Sequence, residues 1–387
     1  KINLINNIID HSLNYLEKNE YKSFDYFDAL SSPLLNNFSN QLIRRISIQL
    51  IGKSIINIRP LLGIKRKLHT KLISDLLSIY SKLYNTRNEE IYLRKAYSIY
   101  DILITRGIKS NDKIAWGLNF PYSSRFVDSN ENTPNIFNTL NSVISLLDFY
   151  KVTNDENIII HVKSSLNYIF EDLGLVEITR NCKWLRYYPG QTIPTYNVNA
   201  MAAYVFAMVN NIYKNEIVSL ETIDSLINFL LDGQNKNGSW FYSESKNGKW
   251  IDGFHSGYII ESLSYMNINE ILHDDSFQKS VSYYIDNLFT NEGIPKYYNN
   301  KIYPIESQNC AQAIQTISKL IMNHKFDYFI LLENIIDNVI KHLYNSNGYF
   351  YYKKEKYFTN KNIFFRWSIS PMLLALLFAQ EALAKKK

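Results

Sequence analysis

Apolar positions recur along most of this chain at three- and four-residue spacing, the period of an amphipathic helix. Two kinds of run alternate. One kind, such as Ala200–Val209 and Met372–Phe378, is apolar on nearly every face. A helix of that kind has to be buried. The other kind carries Lys, Asn or Glu between its apolar positions, as in 89–106, 157–173, 220–231, 275–288 and 328–344. These read as outer helices with one face in water. Ahead of the buried runs lie aromatic loops bearing Gly or Pro: Trp116–Phe120, Trp184–Pro189, Gly238–Tyr242, Gly293–Tyr298 and Gly348–Tyr352.

Taking Ile136, Asn197, Phe254, Gln308 and Trp367 as helix starts gives steps of 61, 57, 54 and 59 residues. A period of this size marks a repeat architecture in which each unit buries its apolar face on its neighbours. His69–Tyr84, preceded by Pro60, adds a sixth buried run without the aromatic loop. Six inner helices need six outer ones, and five lie between units. The segment 41–56 is read as the sixth, which closes the ring. The expected fold is all-α: an (α/α)6 toroid of helix hairpins with short β-hairpin loops at one mouth. Residues 1–60 are read as an N-terminal helical segment supplying the closing outer helix, and 61–387 as the toroid. The turn Lys246-Asn247-Gly248 between Ser239–Tyr242 and Lys249–Ile251 predicts a hairpin, since Asn-Gly favours the tight hairpin turn. Residues 348–352 and 356–358 are read the same way around 353–355.

Composition adds little to this picture. Hydrophobic residues make up 46% and charged residues 20%, an ordinary globular balance. Two cysteines, Cys182 and Cys310, do not make a disulfide framework. The longest apolar runs fall short of the roughly 20 residues that span a bilayer. A cytoplasmic location with at most peripheral membrane contact is expected. The net charge of +6 is spread out, with its densest cluster at Lys65, Arg66, Lys67 and Lys71. That cluster is either a solvated face or a contact for an anionic partner such as a lipid-phosphate carrier, a uronate polymer or a membrane surface. No concentrated basic face points to nucleic acid. No phosphate-cradling Gly-rich loop and no metal-ligand spacing is present, so neither cofactor nor metal is expected.

Two resemblances refine the fold. The stretch Phe229-Leu230-Leu231-Asp232-Gly233-Gln234-Asn235-Lys236-Asn237-Gly238-Ser239-Trp240 resembles the Gln-Trp repeat of terpenoid-cyclase and prenyltransferase toroids, in which the Gln caps an outer helix and stacks with the Trp. The acidic cluster of such cyclases is absent; His273-Asp274-Asp275 stands at an outer-helix start. Arg59-Pro60-Leu61-Leu62-Gly63, Tyr188-Pro189, Pro194–Asn199, Asp252–Tyr258 and Arg366-Trp367 together resemble VpsJ-like bacterial toroid proteins of surface-polysaccharide production. The Tyr-Pro and Pro-x-Tyr-Asn-x-Asn portion is also similar to the toroid domain of glucuronyl carbon-5 epimerases. The Gln-Trp match speaks for fold alone, while the VpsJ-like resemblance implies a role in capsule, exopolysaccharide or O-antigen production, with a glycan or lipid-linked glycan as partner, without supplying a reaction.

In a toroid the loops entering the inner helices crowd one mouth, so polar residues at those helix starts converge. Helix N-termini also favour anions. The candidate catalytic set is His255, Asp252, Glu306, Tyr258 and Arg366. The candidate binding set is Asn138, Tyr196, Asn197, Asn199, Trp240, Trp250, Gln308, Asn309, Gln312 and Trp367, with Trp116 and Tyr187 as further walls. Aromatic faces beside amides and carboxylates suit sugar rings. Uronate epimerase or lyase chemistry needs a base, an acid and a group neutralising the carboxylate. His255, Tyr258 or Tyr196, and Arg366 with Asn199 could fill those roles. A glycosidase needs two carboxylates, for which Asp252 and Glu306 are available, with Glu244 in reserve. Arg366 is either an anion clamp or a partner for Glu306 or Asp252. A carbohydrate-active enzyme is thus expected, with a non-catalytic glycan-binding or assembly factor as the alternative and a terpenoid-type cyclase or transferase third.

Overall fold

The computed structural model describes residues 1–214, 216–272 and 275–386. Among them are thirteen α-helices: α1 (Ile2–Lys18), α2 (Gln41–Lys53), α3 (Thr70–Arg87), α4 (Glu90–Thr105), α5 (Ile136–Thr153), α6 (Glu156–Tyr168), α7 (Tyr196–Tyr213), α8 (Leu220–Asp232), α9 (Gly253–Ile268), α10 (Ser276–Asn287), α11 (Ser307–His324), α12 (Phe329–His342) and α13 (Ser370–Leu383). Helices α3, α5, α7, α9, α11 and α13 pack each on the next, and α13 returns to α3, which closes an inner ring. Helices α4, α6, α8, α10 and α12 pack outside, each on the inner helix before it, and α1 packs on α13. The chain is an (α/α)6 toroid.

Burial separates the two rings as the apolar pattern requires. Helix α7 buries thirteen of its 18 residues. Helix α12 buries only Leu332, Ile335, Ile336 and Val339 of its 14. Each fully buried Leu, Ile, Val or Phe contributes roughly 1.5–3 kcal/mol, so the inner ring carries most of the core. Four inner helices end in a left-handed residue: Asn88, Asn154, Lys214 and Lys325. That conformation stops the helix and turns the chain outward.

The closing outer helix is α1, not the 41–56 segment expected from the sequence. Gly238, at φ +90°, sits so close to the Lys279 carbonyl of α10 that a Cβ would fall 2.3 Å from it. Gly348, at φ +88°, stands in the same relation to the His11 carbonyl of α1, at 2.5 Å. The glycine turn after one outer helix thus docks on the next outer helix, and α1 holds that place after α12. Helix α2 lies outside the ring, packed on the turn Asp28–Ser31 and the short strand Tyr122–Ser123 at the rim of the mouth. Both segments are amphipathic, and the pattern alone does not separate them.

The loops at the mouth are knitted by one repeated hydrogen bond. The N–H of Ile136 donates to the Tyr187 carbonyl at 3.0 Å, Tyr196 to Tyr242 at 3.4 Å, Gly253 to Tyr297 at 3.0 Å and Ser307 to Tyr352 at 3.0 Å. Four of the six inner helices, α5, α7, α9 and α11, are therefore anchored at their first residue to the aromatic loop of the following unit. The third loop pairs Tyr242 with Trp250 and Ser243 with Gly248 through backbone bonds, around the Asn-Gly turn. The fifth differs from expectation. Lys353–Lys354 pairs with Thr359–Asn360 and also with Ile305–Glu306, so the turn falls at 355–358. His273 and Asp274 of the acidic stretch lie outside the described residues, while Asp275 precedes α10.

Candidate functional site

The mouth encloses a cavity of about 1090 Å³. Of the expected residues, Asn138, Asn197, Trp250, His255, Glu306, Gln308, Arg366 and Trp367 line it. So do Tyr187, Tyr242, Tyr297 and Tyr352, the four tyrosines whose carbonyls anchor the inner helices. Their numbers fall at steps of 55 residues, a period that was present in the sequence beneath the less regular helix starts. Burial raises all four phenols above their ordinary value, so they stay protonated donors.

His255 and Asp252 form the best-defined chemical unit. Asp252 is the N-cap of α9: its Oδ1 accepts from the His255 N–H at 2.7 Å. Its Oδ2 accepts from His255 Nδ1 at 2.7 Å and from Trp250 Nε1 at 2.9 Å. Burial pushes the Asp252 carboxyl up, but the His255 ring and these hydrogen bonds together hold it below the usual carboxylate range. Asp252 itself is buried behind the ring and does not line the cavity. His255 does, and its Nε2 has no hydrogen-bond partner among the described residues. Tyr242 fixes the arrangement from the side. Its ring stacks on Trp250 at 4.7 Å and 9° and meets His255 edge-on at 4.7 Å.

Among the described residues, Glu306 is the single carboxylate lining the cavity. It caps α11, accepting the Asn309 N–H at 2.8 Å. Burial pushes its carboxyl up to about 7, against the lowering pull of the Asn309 and Gln308 N–H groups and of Lys353. The side-chain oxygens of Asn138, Asn197 and Gln308 are buried in the lining and have no partner among the described residues. An unpaired buried amide is costly, and a ligand hydroxyl or water would satisfy it.

Arg366 lines the cavity but pairs with neither Glu306 nor Asp252. Its Nε bonds to Asp25 Oδ2, and its Nη2 donates to Asp25 Oδ1 at 2.8 Å. Trp367 Nε1 also donates to Asp25, at 3.3 Å. Burial raises the Asp25 carboxyl, but Arg366 and His69 bring it below its ordinary value. A parallel pair stands nearby: Arg59 Nε donates to Asp28 Oδ1 at 2.7 Å with both side chains buried. Here burial wins, and the Asp28 carboxyl is raised to about 6. These two pairs pin residues 25–28 between the last inner helix and the rim. The sequence reading missed Asp25 because its partner stands 341 residues away.

The remaining candidates lie elsewhere. Trp240 donates its Nε1 to the Leu230 carbonyl at 2.7 Å, and Trp116 does the same to Leu103 at 3.0 Å; both close outer-helix ends and are not among the residues lining the mouth cavity. Gln234 bonds the Gly238 and Ser276 carbonyls. Tyr196 stacks on Phe229 and donates to Glu244 at 2.6 Å, which ties up that reserve carboxylate as well. Asn199 bridges Leu185 and Thr195, and Asn309 donates to the Lys296 carbonyl. Tyr258 and Gln312 line a second cavity of about 200 Å³ deeper in the ring. There Gln312, Gln315, Thr316 and Lys319 all hydrogen-bond Glu261, so Gln312 serves a buried carboxylate, while Gln308, one turn earlier on α11, reaches the main cavity. Among the described residues no group of three or more His, Cys, Asp or Glu is placed to hold a metal ion.

The chain shares this fold with solved carbohydrate-active enzymes. It superposes on cellobiose 2-epimerase from Bacillus thermoamylovorans B4167 with a TM-score of 0.62 and 16% identity, over 82% of this chain and 88% of that one. A glycosyl hydrolase of family 88 from Bacteroides vulgatus gives a TM-score of 0.56 and 14% identity, over 81% and 91%. A polysaccharide lyase gives 0.59 and 13%, over 100% and 98%. Identities this low show the fold alone. No family model matches the chain. In sequence it is 25% identical over 396 residues to the DNA-directed RNA polymerase subunit beta'' of Plasmodium falciparum (isolate 3D7), covering 93% of this chain. The match spans only 37% of that protein, at an identity that shows no family.

Proposed function

We propose that this protein is a carbohydrate-active enzyme that acts on an acidic glycan by proton abstraction, in the manner of an epimerase or lyase. The observation that carries this reading is the Asp252–His255 pair. With Nδ1–H donated to Asp252, the neutral ring leaves Nε2 as a base facing the cavity, and the buried carboxylate stabilises the imidazolium formed on proton uptake. In the proposed step the C–H bond beside a sugar carboxylate breaks. The proton passes to Nε2, and the electron pair delocalises into the carboxylate. Return of a proton to the opposite face gives the epimer. Departure of the linked oxygen with a proton from Glu306 gives the unsaturated product of a lyase. Glu306, raised to about 7, can hold and release that proton near neutral pH.

Charge supports an acidic substrate. Arg45, Lys53, Lys71, Arg125 and Arg366 line the cavity beside one carboxylate. Lys71 and Arg366 are engaged by Asp75 and Asp25, while Arg45, Lys53 and Arg125 have no ion-pair partner among the described residues. The same lining argues against hydrolysis by paired carboxylates, since Asp252 is committed behind His255. Aromatic walls, the orphan amides and the likeness to sugar epimerases and a polysaccharide lyase support a glycan. A place in bacterial surface-polysaccharide production is a further part of this reading, supported by the motif resemblance to VpsJ-like proteins.

The test is incubation with uronate-containing oligosaccharides in deuterium oxide. Solvent deuterium at the carbon beside the carboxylate, or an unsaturated product absorbing in the ultraviolet, is expected, and His255→Ala should abolish either. Tight binding of the same oligosaccharides with no exchange and no product would replace this reading by that of a glycan-binding factor, for which the aromatics and amides suffice.

A further inference from the structure

The rim of the mouth carries a surface that the chemistry at His255 does not use. Between Asp28 and Asp75 the chain has eight Lys and Arg residues and no Asp or Glu. Four of these cations are engaged in ion pairs, with Asp128, Asp28, Glu131 and Asp75. Arg45, Lys53, Lys65 and Arg66 have no ion-pair partner among the described residues, and the last three are exposed. The same stretch concentrates exposed apolar side chains. Nine of the 21 large apolar side chains exposed among the described residues lie between Leu34 and Leu61. Leu42, Ile46 and Leu50 of α2 are 57%, 48% and 67% exposed, and Ile55, Ile56 and Leu61 just beyond it are 53%, 75% and 86% exposed.

Helix α2 explains the arrangement. Its inner face, with Ile48, Ile51 and Gly52, is buried on residues 26–31. Its other face sets Leu42, Ile46 and Leu50 one turn apart, with Arg45, Gln49 and Lys53 interleaved, along the open edge of the cavity. An amphipathic helix with large apolar side chains on the exposed face, flanked by unpaired cations and free of carboxylates, is suited to the interface of an anionic bilayer. A protein partner with an acidic surface would match the charge, but offers no apolar layer for Leu42, Ile46 and Leu50 to enter.

We propose that the rim formed by α2 and residues 55–66 docks on an anionic lipid bilayer. The apolar side chains enter the headgroup boundary, and Lys65 and Arg66, which lie outside the cavity lining, meet lipid phosphates. Docked this way, the cavity mouth opens toward the membrane, where a glycan carried on a lipid phosphate would be presented. The docking itself does not depend on which reaction the cavity runs.

Flotation of the full chain with vesicles tests it. Vesicles of phosphatidylglycerol and phosphatidylcholine should carry the protein at least about tenfold better than phosphatidylcholine alone, and salt should reduce the difference. Leu42→Ser, Ile46→Ser and Leu50→Ser combined should weaken binding about tenfold or more. Should that variant melt abnormally, Lys65→Gln with Arg66→Gln is the second arm, with a loss of similar size expected. Absence of flotation with phosphatidylglycerol vesicles, or binding unchanged in both variants, overturns the proposal. So does light scattering that shows a dimer which the triple variant converts to a monomer, since a second copy of the chain would then cover the face.

Discussion

Asp252 holds His255 through two atoms at once: one carboxylate oxygen caps the helix at the His255 N–H, and the other takes Nδ1, each at 2.7 Å. The cap fixes the backbone, and the second bond fixes the ring, so base and orienter move as one body. The two roles separate by mutation. Asn caps a helix about as well as Asp but brings no charge. Asp252→Asn should therefore leave the melting temperature within a few degrees of the parent while kcat falls. His255→Ala should cost roughly 10²–10⁴ in kcat, the usual worth of a positioned general base. Equal kcat for parent and Asp252→Asn on a turned-over glycan would remove Asp252 from the positioning role.

Glu306 makes stability depend on pH in an unusual direction for a carboxylate. Its folded value of about 7 lies above the ordinary 4.5, so the folded state holds the proton more tightly than the unfolded chain. The stabilisation is complete below 4.5 and is lost as pH rises through 7, by about 3 kcal/mol at most. Asp28, raised to about 6, adds a smaller slope of the same sign. Glu306→Gln keeps an acceptor for the Asn309 N–H and removes the titration. Urea melts at pH 5 and pH 8 should show the parent losing more stability than the variant. Identical losses would place the group at an ordinary pKa.

Arg366 and Asp25 are both nearly or fully buried, and removing one leaves the other uncompensated. Arg366→Ala should destabilise by roughly 3–5 kcal/mol, the cost of stranding a buried charge. Arg366→Gln with Asp25→Asn, which strands no charge, should be less destabilised than either single change. Denaturant midpoints measure the cycle. A mild Arg366→Ala phenotype with intact stability would instead return the guanidinium to the substrate-clamp role that its sequence position suggested.

How far the sequence could be read follows from which interactions are local. The two rings were legible because burial takes in nearly every face of α7 and α13 but only a stripe at every third or fourth residue of α12, and a helix apolar all round has one destination. The clustering of His255, Asp252 and Glu306 was legible because each stands at an inner-helix start, and ring geometry brings helix starts together. What escaped was set by contacts distant in sequence. Helices α1 and α2 carry the same kind of amphipathic pattern, and the Gly348 turn against His11 decides between them. Trp240 and Trp250 look alike as loop aromatics, yet one closes an outer helix and the other faces the cavity. The tyrosines at 187, 242, 297 and 352 keep a stricter period than the helix starts, because they are fixed by backbone bonds between neighbouring units, whereas the loop from tyrosine to helix varies in length.

Arg125 offers the sharpest test of substrate charge. It is exposed at the rim, lines the cavity and has no ion-pair partner among the described residues. Its loop is tied to α2 by the Gln41 side chain, which donates to the Ser124 carbonyl at 3.1 Å, and by Asp128, which accepts from Arg44 Nε at 3.1 Å. Replacing Arg125 therefore removes a charge without removing the contacts that place the loop. Arg125→Gln should raise KM for a uronate oligosaccharide several-fold, in line with about 1 kcal/mol for a partly exposed charge pair, and leave kcat nearly unchanged. Binding of the carboxyl-reduced, neutral form of the same oligosaccharide should not change. The uronate penalty should shrink as salt is raised, because an exposed pair is screened over about 10 Å at 0.1 M ionic strength. An equal loss of affinity for the charged and neutral oligosaccharides would mean that Arg125 shapes the rim rather than reading the carboxylate, and the case for an acidic glycan would then rest on Arg45 and Lys53 alone.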